Sequence, residues 1–330
     1  MPSQEIKNIL VTGAAGKVGR RLAPALLDAG YHVRALQHRS PLPFDNVEVL
    51  RGSVSDKEVV RRALRDVDAV CHLATSKEDP ETFIDVSLRG TFNLLDACRE
   101  SGRVRRFILA SGDAALGIYF YPSPAPLDET APLRAYPGCY ALSKVLEETL
   151  CRQYGIQYGL PYTILRFSWV QEEDDILAHM TLQAPNFGVP VWRELAKTPE
   201  QAEYFKTGTD AVVNLVHPSG ASYVRHVVGI DDVVDAFLRA LDNPAAAGET
   251  FNIAAPSSFS YESLSRYIAD RLDSPVVTLA QDGFHDFTIN VTKARTLLGC
   301  PLRVDMETLV EKAIKFRRSG GRRSDARYVG

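Results

Sequence analysis

Cysteine is scarce in this chain, and what there is does not pair. Five cysteines occur in 330 residues: Cys71, Cys98, Cys139, Cys151 and Cys300. The number is odd and no two stand in a C-x-x-C spacing, which argues against a disulfide framework and against a zinc site. Cys71 reads as core, and Cys139 as a small packed side chain; no metal centre is expected. No run of about 18 apolar residues occurs, so no membrane-spanning helix is expected. The opening residues Met1–Lys7 lack the apolar stretch of a signal peptide, and a cytoplasmic location is the expectation. Neither sign of charge prevails: 38 basic and 41 acidic residues give a net charge of -3. Nothing in that balance draws the whole protein to nucleic acid or to a membrane surface. The basic tail 315–324 reads as a solvated end rather than a nucleic-acid contact.

What the chain does have is a glycine turn near its start. The apolar run Ile9-Leu10-Val11-Thr12 breaks at Gly13, Gly16 and Gly19, and a helical pattern follows. Strand, tight turn and helix in that order expose unpaired N–H groups at the positive end of a helix dipole, which suits a phosphate. Glycine lets the backbone approach a pyrophosphate closely. The spacing is G-x-x-G-x-x-G, and it points to a dinucleotide site over residues 12–20.

Strand-like and helix-like segments alternate through the first half. Strands are expected near 8–12, 32–37, 47–50, 68–73, 105–111 and 162–167. Helices are expected near 17–29, 56–65, 81–101 and 138–155. The alternation predicts βαβ units and an α/β fold, a Rossmann-type doubly wound parallel sheet. Thr12, His38, Ala74, Ser111 and Phe167, at the strand ends, should rim one cleft. Past 170 the pattern changes: the cluster Glu172-Glu173-Asp174-Asp175, then Pro185, Pro190 and Trp192, read as an insertion over that cleft. A strand pattern returns at 223–228, a helix runs from Asp231 to about Leu241, and Phe251–Ala254 is a further strand. The expected division is a dinucleotide-binding domain of 1–170 with about 225–255, and a smaller, discontinuous substrate lobe of 171–224 with about 256–330.

Tyr140 and Lys144 stand at i and i+4, on one face of the helix expected there. An ordinary tyrosine, with a pKa of about 10, is a poor base at neutral pH. An ammonium nearby stabilises the phenolate, so such a pair can take a proton from a substrate hydroxyl or return one. Thr12-Gly13-x-x-Gly16-x-x-Gly19, His72-Leu73-Ala74, Gly90-Thr91-Phe92-Asn93-Leu94-Leu95 and Tyr140-x-x-x-Lys144 together resemble the extended short-chain dehydrogenase/reductase superfamily. More narrowly, the chain is similar to its NAD-dependent epimerase/dehydratase branch. The resemblance continues through Leu165-Arg166-Phe167, Arg225 with Asp231-Asp232-Val233, and Gly248–Ile253.

The resemblance implies Tyr140 as acid/base, with Lys144 tuning it and binding the nicotinamide ribose. It puts Gly13, Gly16, Lys17, Val18 and Gly19 at the pyrophosphate and Ala74 close to the cofactor. Asn93 would stabilise the active-site backbone, and Arg225 matches an arginine that holds substrate phosphate in nucleotide-sugar members. A homodimer through the helices near 81–101 and 138–155 is also implied.

Four departures from the family pattern stand out. The family's serine or threonine, five residues before Gly117, is here Gly112; a one-residue shift would let Ser111 replace it, and Asp113 is a further polar candidate. A lost donor at that point costs ~3 kcal/mol by analogy with a lost oxyanion donor. Gln37 stands where NAD-preferring members carry an acid, followed by His38 and Arg39. A guanidinium pairs with a 2′-phosphate that an acid repels, so NADP is favoured over NAD. Ser53, beside Val54 in the adenine-contacting segment, replaces an aspartate, while Asp56 reads as a helix N-cap. The 172–175 acids replace a glycine-proline turn: they either face water or point inward, disfavouring an anionic substrate or recruiting a cation.

The expected activity is an NAD(P)-dependent oxidoreductase or epimerase acting on a hydroxyl or carbonyl of a sugar, nucleotide-sugar or related polyol. Tyr140, Lys144 and Ser111 are the candidate catalytic residues. Gly112, Asp113 and Arg225 are the candidate substrate contacts. A simple NADPH-dependent carbonyl reductase or alcohol dehydrogenase is the alternative within enzymes, and a non-catalytic NAD(P)-binding sensor the alternative outside them.

Overall fold

The computed structural model describes residues 5–118, 126–182 and 188–321. Met1–Gln4, Pro185 and residues 322–324 of the basic tail lie outside the described residues. Six strands come in the expected places: β1 Asn8–Thr12, β2 His32–Gln37, β3 Glu48–Arg51, β4 Ala69–His72, β5 Arg106–Gly112 and β6 Tyr162–Phe167. With the strand Glu249–Ile253 they form a seven-stranded sheet in the order Glu249–Ile253, β6, β5, β4, β1, β2, β3, and every pairing is parallel. The order reverses at β1, so β1 and β4 part at their carboxyl ends and leave a crevice for a ligand. β1, β4 and β5 are buried on both faces and read as continuous apolar runs, as central parallel strands must.

Helices cover both faces. Gly19–Asp28 and Ile230–Asp242 pack on one side, in a core with Leu22, Leu26, Val233 and Phe237. Lys57–Ala63, Gly90–Ser101 and Cys139–Tyr158 pack on the other, around Val60, Leu94, Leu95 and Cys151. Asp56 caps its helix as expected, accepting the N–H groups of Glu58 and Val59. The helical stretch expected at 81–101 is not uniform: Pro80–Thr82 leads into a π-helical turn, Phe83–Arg89, before Gly90–Ser101.

A second core forms around Leu177, Trp192, Val213, Leu215, Ile268, Leu279 and Val310. Residues 287–302 do not share it: Phe287, Ile289, Val291, Ala294, Leu298 and Leu302 pack into the first core beside Phe237 and Phe251. The chain beyond 256 thus crosses back to the sheet before the helix Met306–Arg318 returns to the second lobe. That helix takes up residues 315–318 of the basic tail, and its Arg317 pairs with Asp174 at 2.7 Å.

Candidate functional site

The turn after β1 needs its glycines for different reasons. Gly13 has φ +68°, and a Cβ there would stand 2.8 Å from the backbone N of Ala74. A Cβ on Gly19 would run into the Gly13 carbonyl and come within 2.6 Å of Ala14 Cα. A Cβ on Gly16 would meet only the Gly13 oxygen, at 3.3 Å, so its outer face is open. The helix that follows has no side-chain cap and no acid in its first turn. The uncapped positive end of that helix and the open glycine face fit a pyrophosphate.

Lys17 does not belong to that cradle. Its Nζ lies 2.8 Å from Asp175 Oδ2 and 3.2 Å from the Val170 carbonyl. Arg20, one helical turn on, pairs with Glu172 and Glu173. The acidic cluster is therefore neither a solvated face nor a cation site. Asp175 and Glu172 are buried, and two buried carboxylates require cations. They find them in the glycine turn, at Lys17, and on the helix after it, at Arg20, and so tie this segment to the first strand's turn.

Behind the turn runs a buried polar chain. Thr12 Oγ1 accepts the N–H groups of Leu73 and Ala74 at 3.2 Å each and lies 2.7 Å from His72 Nδ1. Thr91 Oγ1 donates to the Ser87 carbonyl at 2.6 Å and lies 2.9 Å from His72 Nε2. Thr91 has spent its proton, so His72 donates from Nε2 and accepts from Thr12 at Nδ1. Burial, with Lys144 adding to it, pushes the His72 pKa down to about 3 and keeps the ring neutral.

Tyr140 and Lys144 open the long helix Cys139–Tyr158. Its N-terminus is held by Glu78, whose carboxylate accepts from Cys139 N at 2.7 Å and from Tyr140 N at 3.4 Å. Gly138, at φ +141°, makes room: a Cβ there would stand 2.7 Å from Glu78 Oε2. The Tyr140 ring lies 4.6 Å from Lys77 Nζ and 5.5 Å from Lys144 Nζ. Its hydroxyl oxygen would be 3.6 Å from a Cβ on Gly112. The missing family side chain thus leaves its space directly beside the Tyr140 hydroxyl. Lys144 is buried, and its Nζ donates to Ala110 O at 3.1 Å and Glu147 Oε2 at 2.9 Å. Lys77, Glu78 and Glu147 were not singled out from the sequence, because their meaning lies in partners that sequence spacing does not show.

Ser111 does not take the place of the missing hydroxyl. Strand alternation turns it to the face opposite Gly112. There it donates to Glu148 Oε1 at 2.7 Å. The same carboxylate receives Arg166 in two bonds, 2.9 Å and 2.8 Å, and Arg152 at 3.0 Å. Ser111 therefore joins a buried ion cluster that fastens β5, β6 and the Tyr140 helix together.

Asp113 sits at the end of β5. Its Oδ2 lies 2.9 Å from Ser168 Oγ, which also lies 2.8 Å from the His226 carbonyl. Ser168 Oγ has one proton for two acceptors, so Asp113 completes the set only when it carries its own proton, below about pH 6. Burial pushes the Asp113 pKa up to about 6, with Ser168 and Arg225 opposing it. A raised carboxyl pKa means that the folded chain holds a proton which the unfolded chain releases between about pH 4 and pH 6. Its contribution to stability falls as pH rises through that window. Asp113→Asn is expected to gain melting temperature relative to the wild type between about pH 4 and about pH 7. A difference that stays flat across that range would contradict this placement.

Arg225, whose charge reaches Asp113, lies on the strand Val224–Arg225 paired with Phe259–Ser260. Its guanidinium stacks 3.7 Å from the Trp169 ring and donates to Gly188 O at 2.9 Å, and the residue is only 4% exposed. Trp169 in turn stacks on His179 at 3.9 Å. At the adenosine end, His38 and Arg39 are exposed, and Gln37 Nε2 bonds Ser40 O at 2.9 Å. Ser53 Oγ holds Ser55 at 2.8 Å, and Asn93 Nδ2 donates to Val54 O at 3.0 Å. Asn93 thus steadies the Ser53-Val54 segment rather than the backbone around Tyr140. Among the described residues no group of three or more His, Cys, Asp or Glu could hold a metal ion, and no helix is long and apolar enough to cross a membrane.

A parallel sheet with this strand order, a glycine turn after its first strand and a Tyr–Lys pair at its carboxyl edge defines the short-chain dehydrogenase/reductase superfamily. The comparisons narrow it. Residues 9–254 match the NAD dependent epimerase/dehydratase family. A UDP-glucose 4-epimerase of Mycolicibacterium smegmatis is 28% identical over 94% of this chain and 98% of that relative. A putative UDP-glucose 4-epimerase of Methanocaldococcus jannaschii is 31% identical over 50% of this chain, and the chain spans only 56% of that relative's length. Among solved structures, a short-chain dehydrogenase/reductase superfamily protein from Agrobacterium tumefaciens with bound NAD superposes with TM-score 0.82. It is 29% identical and covers 95% of this chain and 98% of its own. A Thermotoga maritima UDP-glucose 4-epimerase with UDP-glucose shares the fold at TM-score 0.72, 24% identity, and 95% and 99% coverage. The chain belongs to the NAD-dependent epimerase/dehydratase family.

Proposed function

We propose that this chain is an NAD(P)-dependent oxidoreductase or epimerase that acts on a hydroxyl or carbonyl carbon of a sugar, nucleotide-sugar or related polyol. The observation that carries it is the position of Tyr140. Its hydroxyl lies beside the gap left by Gly112, with Lys144 one helical turn along the same helix. The dinucleotide would be held by Gly13, Gly16, Val18 and Gly19, by Ala74 and the Ser53-Val54 segment, and by Tyr140 and Lys144 at its ribose. Its nicotinamide supplies the hydride acceptor or donor. In the oxidative direction Tyr140 takes the hydroxyl proton while the C–H electron pair departs, and a carbonyl forms. In reduction Tyr140 returns that proton. Gly112 admits the substrate carbon, and Asp113 and Arg225 face it from the two lobes. The test is absorbance of reduced nicotinamide with UDP-glucose, UDP-galactose and glucuronate. Net reduction marks a dehydrogenase; isomer exchange without net change marks an epimerase.

A simple carbonyl reductase or alcohol dehydrogenase is the second reading, and one observation favours it. Arg225, matched to a phosphate-holding arginine, is covered by Trp169 and already bonded to Gly188. A compact substrate makes no call on that arginine, whereas a diphosphate needs it free.

NADP is the favoured cofactor, since no acid stands at Gln37 and Arg39 is exposed. Arg39→Ser is expected to weaken NADPH about tenfold and leave NADH within about twofold, as the loss of one guanidinium–phosphate pair implies. Equal loss for both, read by fluorescence titration, would remove the argument. A homodimer fits the exposed Ile84, Phe92 and Leu142 on the helices beside the site. Light scattering of the wild type against Phe92→Glu should read a dimer and then a monomer.

A further inference from the structure

The Tyr140–Lys144 pair is backed by a second acid that its reaction does not require. Glu147 is 1% exposed, and its Oε2 receives Lys144 Nζ at 2.9 Å. Its other oxygen lies 3.5 Å from Thr75 Oγ1, and Thr75 Oγ1 lies 3.2 Å from Ser87 Oγ. Ser87 is fully buried in the π-helical turn Phe83–Arg89 and accepts Ser76 N at 2.9 Å. Wide turns of this kind recur at functional sites, and here the turn sets Ser87 against Thr75 and Ser76. The neighbouring Glu148 serves a different group, the Arg166–Arg152–Ser111 cluster. Two adjacent buried carboxylates thus divide their work: Glu148 fastens the fold, and Lys144 is the one cation paired with Glu147 among the described residues.

We propose that Glu147 is a positioning residue that keeps Lys144 a charged ammonium and aims it along the helix face of Tyr140. An ammonium buried as deeply as Lys144 loses water on every side, and burial alone favours the neutral amine, by as much as 3–5 pK units for a fully buried lysine. Here burial is outweighed by Glu147 first and Tyr140 next, and the Lys144 pKa lies above the ordinary lysine value. Glu148 adds to that charge after Glu147 and Tyr140, from a carboxylate that is itself paired with Arg166 and Arg152. His72 on β4 is neutral, Cys151 on the same helix is pushed up by burial as a thiol, and Lys77 lies on the Tyr140 ring. The link to Ser87 also joins this pair to the His72–Thr91 chain behind the glycine turn. Glu147 therefore acts at the cofactor end of the site without touching the substrate.

The inference rests on Lys144 serving Tyr140, as proposed above, but its test needs no substrate. Lysine-selective 13C NMR of the full chain, with Lys144→Met assigning the resonance, follows the Lys144 titration. In the wild type the signal should not titrate up to about pH 10, and in Glu147→Gln its midpoint should fall by about two units, a hundredfold change in the ammonium-to-amine ratio. A Glu147→Gln protein that keeps its circular dichroism and a midpoint above about pH 10 overturns the proposal. If Glu147→Gln does not fold, the double variant Glu147→Gln/Lys144→Met decides. Recovery of folding supports the pairing, and failure of both shows that Glu147 serves the fold independently of Lys144. Retained turnover in Tyr140→Phe would sink the proposed reaction and leave this titration untouched.

Discussion

Tyr140→Phe should lower turnover by about 10²–10⁴-fold, the range general acid–base catalysis supplies, and leave the dinucleotide affinity within about threefold. The substitution removes one oxygen. That oxygen faces the gap at Gly112, and no hydrogen bond of it to the surrounding protein is recorded among the described residues. The ring stays between Lys77 and Lys144, and the backbone N of Tyr140 stays on Glu78. The fold therefore has little reason to respond, and the glycine turn has none. A melting temperature like the wild type's, with turnover lost, separates chemistry from folding. If the variant turns over at the wild-type rate, another group handles the proton. Asp113 is then the group to change, since its carboxyl, with a pKa of about 6, stands at the end of the same strand.

Arg166→Met should cost about 3–5 kcal/mol of stability, the loss expected when one partner of a buried ion pair is removed. Arg166 and Glu148 are both almost fully buried, and the fork of Arg166 covers both carboxylate oxygens. Without it Glu148 keeps Ser111 and Arg152, too few donors for a charge so deep. The companion Arg166→Met/Glu148→Leu should regain most of the loss, because two apolar groups replace a pair without leaving a lone charge. Guanidinium unfolding reads both. A single-variant loss below about 1 kcal/mol would show that the cluster is not what holds β5 and β6 to the Tyr140 helix.

The elements legible in the sequence were those set by local pattern. β1, β2 and β6 end where their apolar runs end, and Gly13 marks a turn because its positive φ is a backbone requirement. The glycine turn and the Tyr140–Lys144 spacing carry their own geometry, so both could be placed before any contact was known. What could not be read were the partners of charges. Lys17 looked like a phosphate ligand until its counterion proved to be Asp175, 158 residues away. Whether Glu172–Asp175 faced water or pointed inward stayed open until Arg20 and Arg317 were found against it. Ser111 looked like a catalytic hydroxyl because spacing alone does not say which face of β5 it takes beside Glu148. Residues 287–302 were assigned to the wrong core for a related reason. Their apolar pattern shows that they are buried but not against which lobe.

The central claim is that Tyr140 moves the proton while the nicotinamide moves the hydride. The most direct test is a single-turnover experiment with enzyme saturated in oxidised NAD or NADP and a panel of UDP-glucose, UDP-galactose, glucuronate and galacturonate, following the absorbance of reduced nicotinamide. Both a dehydrogenase and an epimerase produce that signal, the first lasting and the second transient. The account predicts the signal for the wild type with a member of this panel, and none for Tyr140→Phe with its cofactor still bound. A Tyr140→Phe protein that gives the wild-type amplitude at the wild-type rate would contradict it.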